Sequence, residues 1–279
     1  MSARLGTRLS LATSLGLGLA LISGGCVLGA RAVVEVVAAY SMSDIDSVRI
    51  DLPDTPIAVR GVPSQGSIEL TGRWFSTGGT DSVAIDNTTE PRFDFAVEGR
   101  FARLTAVLPL AQRELLDLEV DEITLDPNRN IEVWTGLGNV TVTHMQGNIS
   151  VDIERGNIFV VGGAGGVGVR TLIGDAEIHS TGQIDAYTER GDLLLFQDGP
   201  GGNAVYANSE FGDIRVTLRS AQNLHLKISA YRDIRVQTGS ISTVTSESFE
   251  RKVGNGTVEV FLDARIGSVT VLEDETGAD

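Results

Sequence analysis

The chain has 279 residues, enough to bury a sizeable core, and its 22 basic and 37 acidic side chains leave a net charge of −15. An exterior this acidic argues against nucleic acid and against simple docking on anionic lipid heads. With 33 Gly, only 5% aromatic residues and a single cysteine, the composition favours strands and turns and rules out an intramolecular disulfide framework.

Residues 1–25 read MSARLGTRLSLATSLGLGLALISGG. Arg4 and Arg8 form a basic start, Leu9 to Ile22 a mostly apolar core and Ser23-Gly24-Gly25 a small-residue cleavage region, which predicts a signal peptide and export. Cys26 follows at once. ISGGC resembles a bacterial lipobox, in which the cysteine is acylated and becomes the first mature residue, although Ser23 stands where that motif prefers Leu. The expectation is a lipidated Cys26 that holds the protein on a membrane of the cell envelope, facing periplasm or cell surface. Residues 26–43 are expected to be a tether, with Val27 to Tyr40 readable as a short helix or as a first strand around Val33 to Val37.

From 44 to 127 short alternating runs end at turn residues. Val48, Ile50 and Leu52 stop at Pro53, Ile57 and Val59 at Gly61, Ile68 and Leu70 at Gly72, and Ile123 and Leu125 at Pro127. No glycine period runs through this part, which predicts a β-rich N-terminal cap or irregular rungs. LAQRELLDLEV (110–120) reads as either helix or strand, and Trp74 and Trp134 are expected to pack where this region meets the repeats.

The stretch from 128 to 272 carries the repeats. Gly138, Gly147, Gly156, Gly165 and Gly174 stand nine apart, followed by Gly182 and Gly191. An Asn or Asp usually follows each glycine, then an alternating apolar run. Glycine and Asn/Asp tolerate tight turns, and alternation puts Ile149, Val151 and Ile153 on one strand face. The fold class expected is all-β: a β-solenoid (right-handed β-helix) with short glycine-cornered rungs. Two nine-residue units make one rung, so Ile149 should neighbour Val167 and Ile184, and Ile158 should neighbour Ala176 and Leu193. A three-unit rung would instead pair Ile149 with Ala176. Spacing loosens later; SESFERKVGNG (246–256) reads as a protruding loop, and 273–279 as an acidic tail.

The run Asp126-Pro127-Asn128-Arg129-Asn130-Ile131-Glu132-Val133, followed by GLGNVTV and the repeats, resembles the bacterial putative-adhesin domains of β-strand repeats, which are related to the head domain of putative autotransporter adhesins. The resemblance implies an extracytoplasmic β-solenoid, commonly a cell-envelope lipoprotein, with no assigned catalytic residues. No functional residue carries over with it.

Chemistry-bearing constellations are few. His144, His179 and His225 lie far from one another and no Cys accompanies them, so neither a metal nor a cofactor is expected. The Asn and Asp after the glycines fit turn chemistry better than metal binding. Among outward acids, Glu132, Asp152, Glu154, Glu177, Asp185 and Glu189 include no pair that stands out for a glycosidase or lyase. A carbohydrate-active enzyme on a β-helix is therefore the alternative, and a non-enzymatic binding or structural module with a protein or glycan ligand is the main reading. Stacked rungs should gather Phe159, Val161, Glu177, His179, Leu194 and Phe196 on one outer face, the candidate interaction face. The opposite face, with Asp152, Arg170, Asp185, Tyr187 and Glu189, is expected to be an ordinary solvated one.

Overall fold

Alternation of β-branched residues with polar ones, broken at each glycine corner, gives a chain without helix among the described residues, which are 30–78, 92–107, 116–199, 203–219, 223–239 and 241–274 of a computed structural model. The strands form two facing walls. The first wall contains β2 (Ser47–Asp51), β5 (Arg92–Glu98), β6 (Phe101–Val107), β8 (Asn130–Leu137), β10 (Asn148–Arg155), β12 (Gly166–Ile173), β14 (Ile184–Arg190), β16 (Val205–Phe211) and β20 (Val258–Ala264). The second contains β1 (Ala30–Ser41), β3 (Ile57–Gly61), β4 (Ser67–Gly78), β7 (Leu116–Leu125), β9 (Val140–Met145), β11 (Ile158–Gly162), β13 (Ala176–Ser180), β15 (Leu193–Gln197), β17 (Ile214–Leu218) and β21 (Val269–Glu273). The long β18 (Leu224–Thr238) pairs first with β20 and then with β21, and β19 (Ile241–Lys252) runs antiparallel to it. The two walls thereby join into one 21-stranded sheet, nearly closed and barrel-like around its core.

Through the repeats, each strand pairs in parallel with the next but one. Ile149 lies opposite Val167, and Val167 opposite Ile184. Ile158 lies opposite Ala176, and Ala176 opposite Leu193. This is the two-unit register, and the three-unit pairing of Ile149 with Ala176 does not occur. Inward positions such as Ile149, Val151, Ile153, Ile158, Val160 and Ile178 are buried. Each such aliphatic side chain contributes about 1.5–3 kcal/mol when removed from water.

The corner after the first-wall strands is built by side chains that the repeat supplies in every unit. Gly138, Gly156, Gly174, Gly191, Gly212 and Gly267 stack, and a Cβ on Gly174 would sit 1.8 Å from the Gly156 carbonyl oxygen. Its φ of +146° also disfavours any side chain. The next residue forms a ladder. The Asp175 backbone N–H donates to Asn157 Oδ1 (3.0 Å), the Asp192 N–H to Asp175 Oδ1 (2.8 Å) and the Asp213 N–H to Asp192 Oδ1 (2.7 Å). Beneath them buried hydroxyls close the corner: Thr188 donates to the Gly174 carbonyl at 3.2 Å and Ser209 to that of Gly191 at 3.1 Å. The opposite corner uses other residues. Buried Ser180 donates to the Gly163 carbonyl at 3.0 Å, and the side-chain Oε1 of buried Gln197 accepts from the Gly199 N–H at 2.7 Å.

Both ends of the structure are laid out of chain order. β2 and β3 lie between the pair β6/β7 and the pair β8/β9. β20 likewise lies between β16 and β18. The described part of 44–127 therefore combines parallel strands with antiparallel pairs, with Trp74 buried 5.4 Å from Phe93, and Tyr40 of β1 stacked on Phe95 at 4.6 Å. Trp134 instead faces outward from β8, half-buried. At the other end, Arg251 and Glu247 of β19 lie opposite buried Leu226 and Ala230. Charges on the core side of a terminal strand discourage further strand addition.

Some segments left open or read otherwise in the sequence are strands. Residues 30–41 take the strand alternative and form β1, paired along its length with β4, with Val34 opposite Trp74 and Ala38 opposite Leu70. The 116–120 part of the ambiguous segment is strand β7, and 108–115 lies outside the described residues. The expected loop at 246–256 is strand as far as Lys252, since β18 pairs with it. Glu273 ends β21 and accepts from the Gly239 N–H, so the tail begins later than expected.

Gly174→Ala should lower unfolding stability by at least about 2 kcal/mol, from strain at that φ added to the backbone clash. Gly168→Ala, where an added Cβ meets nothing within 4 Å, should be neutral or stabilising by up to about 1 kcal/mol. Urea unfolding followed by circular dichroism separates the two; equal effects would contradict the stacked corner.

Candidate functional site

Outward positions of neighbouring strands form columns at the strand spacing of about 4.8 Å. On the second wall Phe159, Glu177, Leu194 and Arg215 make one column, and Val161, His179, Phe196 and Thr217 the next. All six residues of the expected face are thus brought together. The His179 ring stacks on Phe196 with centroids 4.1 Å apart and planes 9° from parallel, and meets Phe159 edge-on at 6.2 Å. Its Nε2 lies 2.9 Å from Glu177 Oε1. Phe159 and Val161 are 37% and 36% exposed, and none of the six is buried. Apolar and aromatic side chains therefore surround one carboxylate–imidazole pair on a sheet face that no described residue covers.

The other histidines are separate. His144 is exposed on β9 and His225 contacts Glu250 of β19 at 3.0 Å. That hydrogen bond holds the Glu250 carboxyl below the ordinary carboxylate range. Among the described residues, no group of three His, Cys, Asp or Glu side chains is placed to hold a metal ion. Cys26 lies outside the described residues.

The outer face of the first wall departs from the ordinary surface expected of it. Its columns run Ser150, Gly168, Asp185, Tyr206, Phe261 and, beside them, Asp152, Arg170, Tyr187, Asn208, Asp263. Because Gly168 has no side chain and Ser150 a short one, a trough of about 250 Å³ opens between Asp152, Arg170, Asp185 and Tyr187. Arg170 lies 3.9 Å from Asp152 Oδ2 and 5.8 Å from the centre of the Tyr187 ring. The Tyr187 hydroxyl donates to Glu210 at 3.2 Å and the Tyr206 hydroxyl to Glu259 at 2.7 Å. Burial, then the Glu210 carboxylate, raises the Tyr187 phenol above its ordinary value; for Tyr206 the hydrogen bond to Glu259 is the main cause. Two carboxylates, Asp152 and Asp185, line the trough from strands on either side of β12, and the trough is open to solvent. Neither is enclosed by apolar side chains, as the general acid of a glycosidase is.

No family model matches the sequence, and no curated protein matches it. Among solved structures, 87% of this chain is similar to the whole of a chain described as a putative cell adhesion protein from Clostridium sporogenes, at 14% identity and a TM-score of 0.33. A further 85% match covers 97% of a putative adhesin from Bacteroides fragilis, at 10% identity and a TM-score of 0.35. The resemblance to putative adhesins read from the repeats is thus met by solved structures that carry the name. At these TM-scores the likeness carries no argument about function, which has to come from the two outer faces.

Phe159→Ser and Phe196→Ser should each change unfolding stability by less than about 1 kcal/mol, as surface substitutions do. Leu195→Ser, one residue away but fully buried, should cost about 3–5 kcal/mol. The same urea titration reads all three, and a large loss from Phe196→Ser would show that this face is covered.

Proposed function

We propose that the chain is an exported, lipid-anchored β-solenoid of the cell envelope, acting as an adhesin-like binding module that engages a protein partner through its second wall. The parallel pairing of alternate strands supports the solenoid reading, and right-handed crossovers are the general rule for parallel strands. The basic and apolar N-terminus ending at Cys26 supports export and anchoring.

The observation that carries the binding role is the His179 ring stacked on Phe196 and edged by Phe159 on an outer face that no described residue covers. Exposed aromatic and aliphatic side chains gathered in one patch mark contact surfaces, and a single Glu–His pair among them supplies orientation more than charge. A protein surface fits this chemistry better than a polyhydroxylated ligand does. A catalytic role has no comparable support, because the carboxylates that share a trough sit in open solvent.

Anchoring is tested by Cys26→Ser, which should abolish acyl labelling and release the chain from membranes, because stable attachment needs more than one lipid signal. Unchanged membrane partition would remove the anchor from the proposal. For the face, cells displaying Phe196→Asp at wild-type surface levels should aggregate or adhere at least tenfold less than cells displaying the unaltered chain. Equal adhesion by both would show that contact is made elsewhere.

A further inference from the structure

The trough on the first wall lies on the opposite side of the molecule from the Phe159–Phe196 face, so what it does is independent of the protein-binding proposal. Its floor is the strand backbone at Ser150 and Gly168, whose amides and carbonyls face neighbouring strands within the parallel ladder. A peptide strand would find no free backbone edge there. What the trough does offer is side-chain chemistry on three sides: the Arg170 guanidinium as donor, the Asp152 and Asp185 carboxylates as acceptors, and the Tyr187 ring as a flat wall. The side chains of Asp185 and Ser150, both exposed, make no hydrogen bond or ion pair with any described residue. Their polar atoms remain available to a ligand. Toward β20 the column continues through the rings of Tyr206 and Phe261, the latter 40% exposed.

We infer that this trough is a saccharide-binding site that takes a neutral hexopyranose chain lying along the stacking direction of the strands. A pyranose presents a face of C–H groups that packs on aromatic rings and a rim of hydroxyls that both donate to carboxylates and accept from a guanidinium. The pairing of flat rings with planar, bidentate polar groups suits such a ligand better than an ion or a fatty chain. Strand spacing of about 4.8 Å sets the rings of Tyr187, Tyr206 and Phe261, on three successive strands, at a step close to one sugar unit. Charge narrows the class further. Asp152 and Asp185 outnumber Arg170 in the trough, Glu132 beside it pairs with Arg49 at 3.6 Å, and the whole chain is at −15, so uronic or sulfated sugars are repelled. The absence of a side chain at Gly168 is what makes room, since an alanine Cβ there would touch nothing and a larger side chain would occupy the trough.

The test is isothermal titration calorimetry of the full chain with three neutral probes, cellohexaose, maltohexaose and mannohexaose, and with an oligogalacturonate of equal length as the anionic control. At least one neutral hexasaccharide should bind saturably, and the oligogalacturonate should bind at least tenfold more weakly. Gly168→Leu fills the trough and Tyr187→Ala removes its wall; each should weaken binding at least tenfold with the unfolding midpoint unchanged. Phe196→Asp, on the other wall, should leave the affinity as it was. Absence of saturable binding to all three neutral probes would overturn the inference. So would equal binding of the oligogalacturonate, or full affinity in Tyr187→Ala, which replaces a surface side chain and serves if Gly168→Leu fails to fold. Loss of adhesion in Phe196→Asp bears only on the protein-binding face, so the two readings fail separately.

Discussion

The close stacking of glycine on glycine at one corner is the constraint from which the rest follows. At Gly174 and Gly191 the space where a Cβ would project is already filled, within about 2 Å, by the carbonyl oxygen of the preceding glycine in the stack. That approach sets the rung spacing at the corner to the strand spacing, so the flanking strands stay in register without a slip. The carbonyl turned inward there is a half-buried acceptor, and the Thr171, Thr188 and Ser209 hydroxyls answer it. The Asn/Asp ladder outside the corner does the same for the next backbone N–H in water. Sterics, buried polar satisfaction and turn chemistry thus select the same short sequence at every unit, the local and global agreement that specifies a single fold.

Fixing register at the corners frees the outer columns. Parallel sheets are usually covered on both faces, and their strands then read as continuous apolar runs. Here only the inner face is packed, the strands alternate, and outward residues are constrained by little beyond strand propensity. Each outer column is accordingly a row of independent choices repeated at a fixed step. The second wall has filled its row with Phe159, Leu194, Val161 and Phe196, whereas the first wall combines aromatic rings with acids and leaves a gap at Gly168. Two faces of opposite chemistry on one rigid body suit a module that holds one kind of molecule on each side.

What could be read in the sequence was what the period carries. An 18-residue return fixes which residues are neighbours, so the register of Ile149 with Val167, and the gathering of Phe159, Glu177, His179 and Phe196, were legible before any coordinates. Where the period breaks, legibility ends for a physical reason: Gly212 stacks on Gly267 across 55 residues because β18 and β19 are inserted between them. The part of β19 from Ser246 reads as loop because it is mostly polar on both faces, with Glu247 and Arg251 on the core side, and the turn signals at Gly254 and Gly256, both at positive φ, follow it closely. The trough was missed because its defining feature is a side chain that is not there. Gly168 stands out only once Ser150 and Asp185 are placed on either side of it.

The two ends of the molecule complete the physical picture. A stack of parallel strands exposes an unpaired edge at each end, the feature that drives uncontrolled association. This chain deals with both ends by antiparallel strands that do not repeat: β1, β4 and β5 close one end around Trp74 and Phe93, and β19 closes the other with Arg251 and Glu247 on its core side. β1 begins four residues after Cys26, a reach of about 14 Å when extended. With an anchor at Cys26, the aromatic end would stand close to the membrane. The charged end would be the farther one, and both walls would remain open at the side. An anchor placed at the end of the stack, away from both columns, restricts neither face, so binding on one wall need not compete with binding on the other.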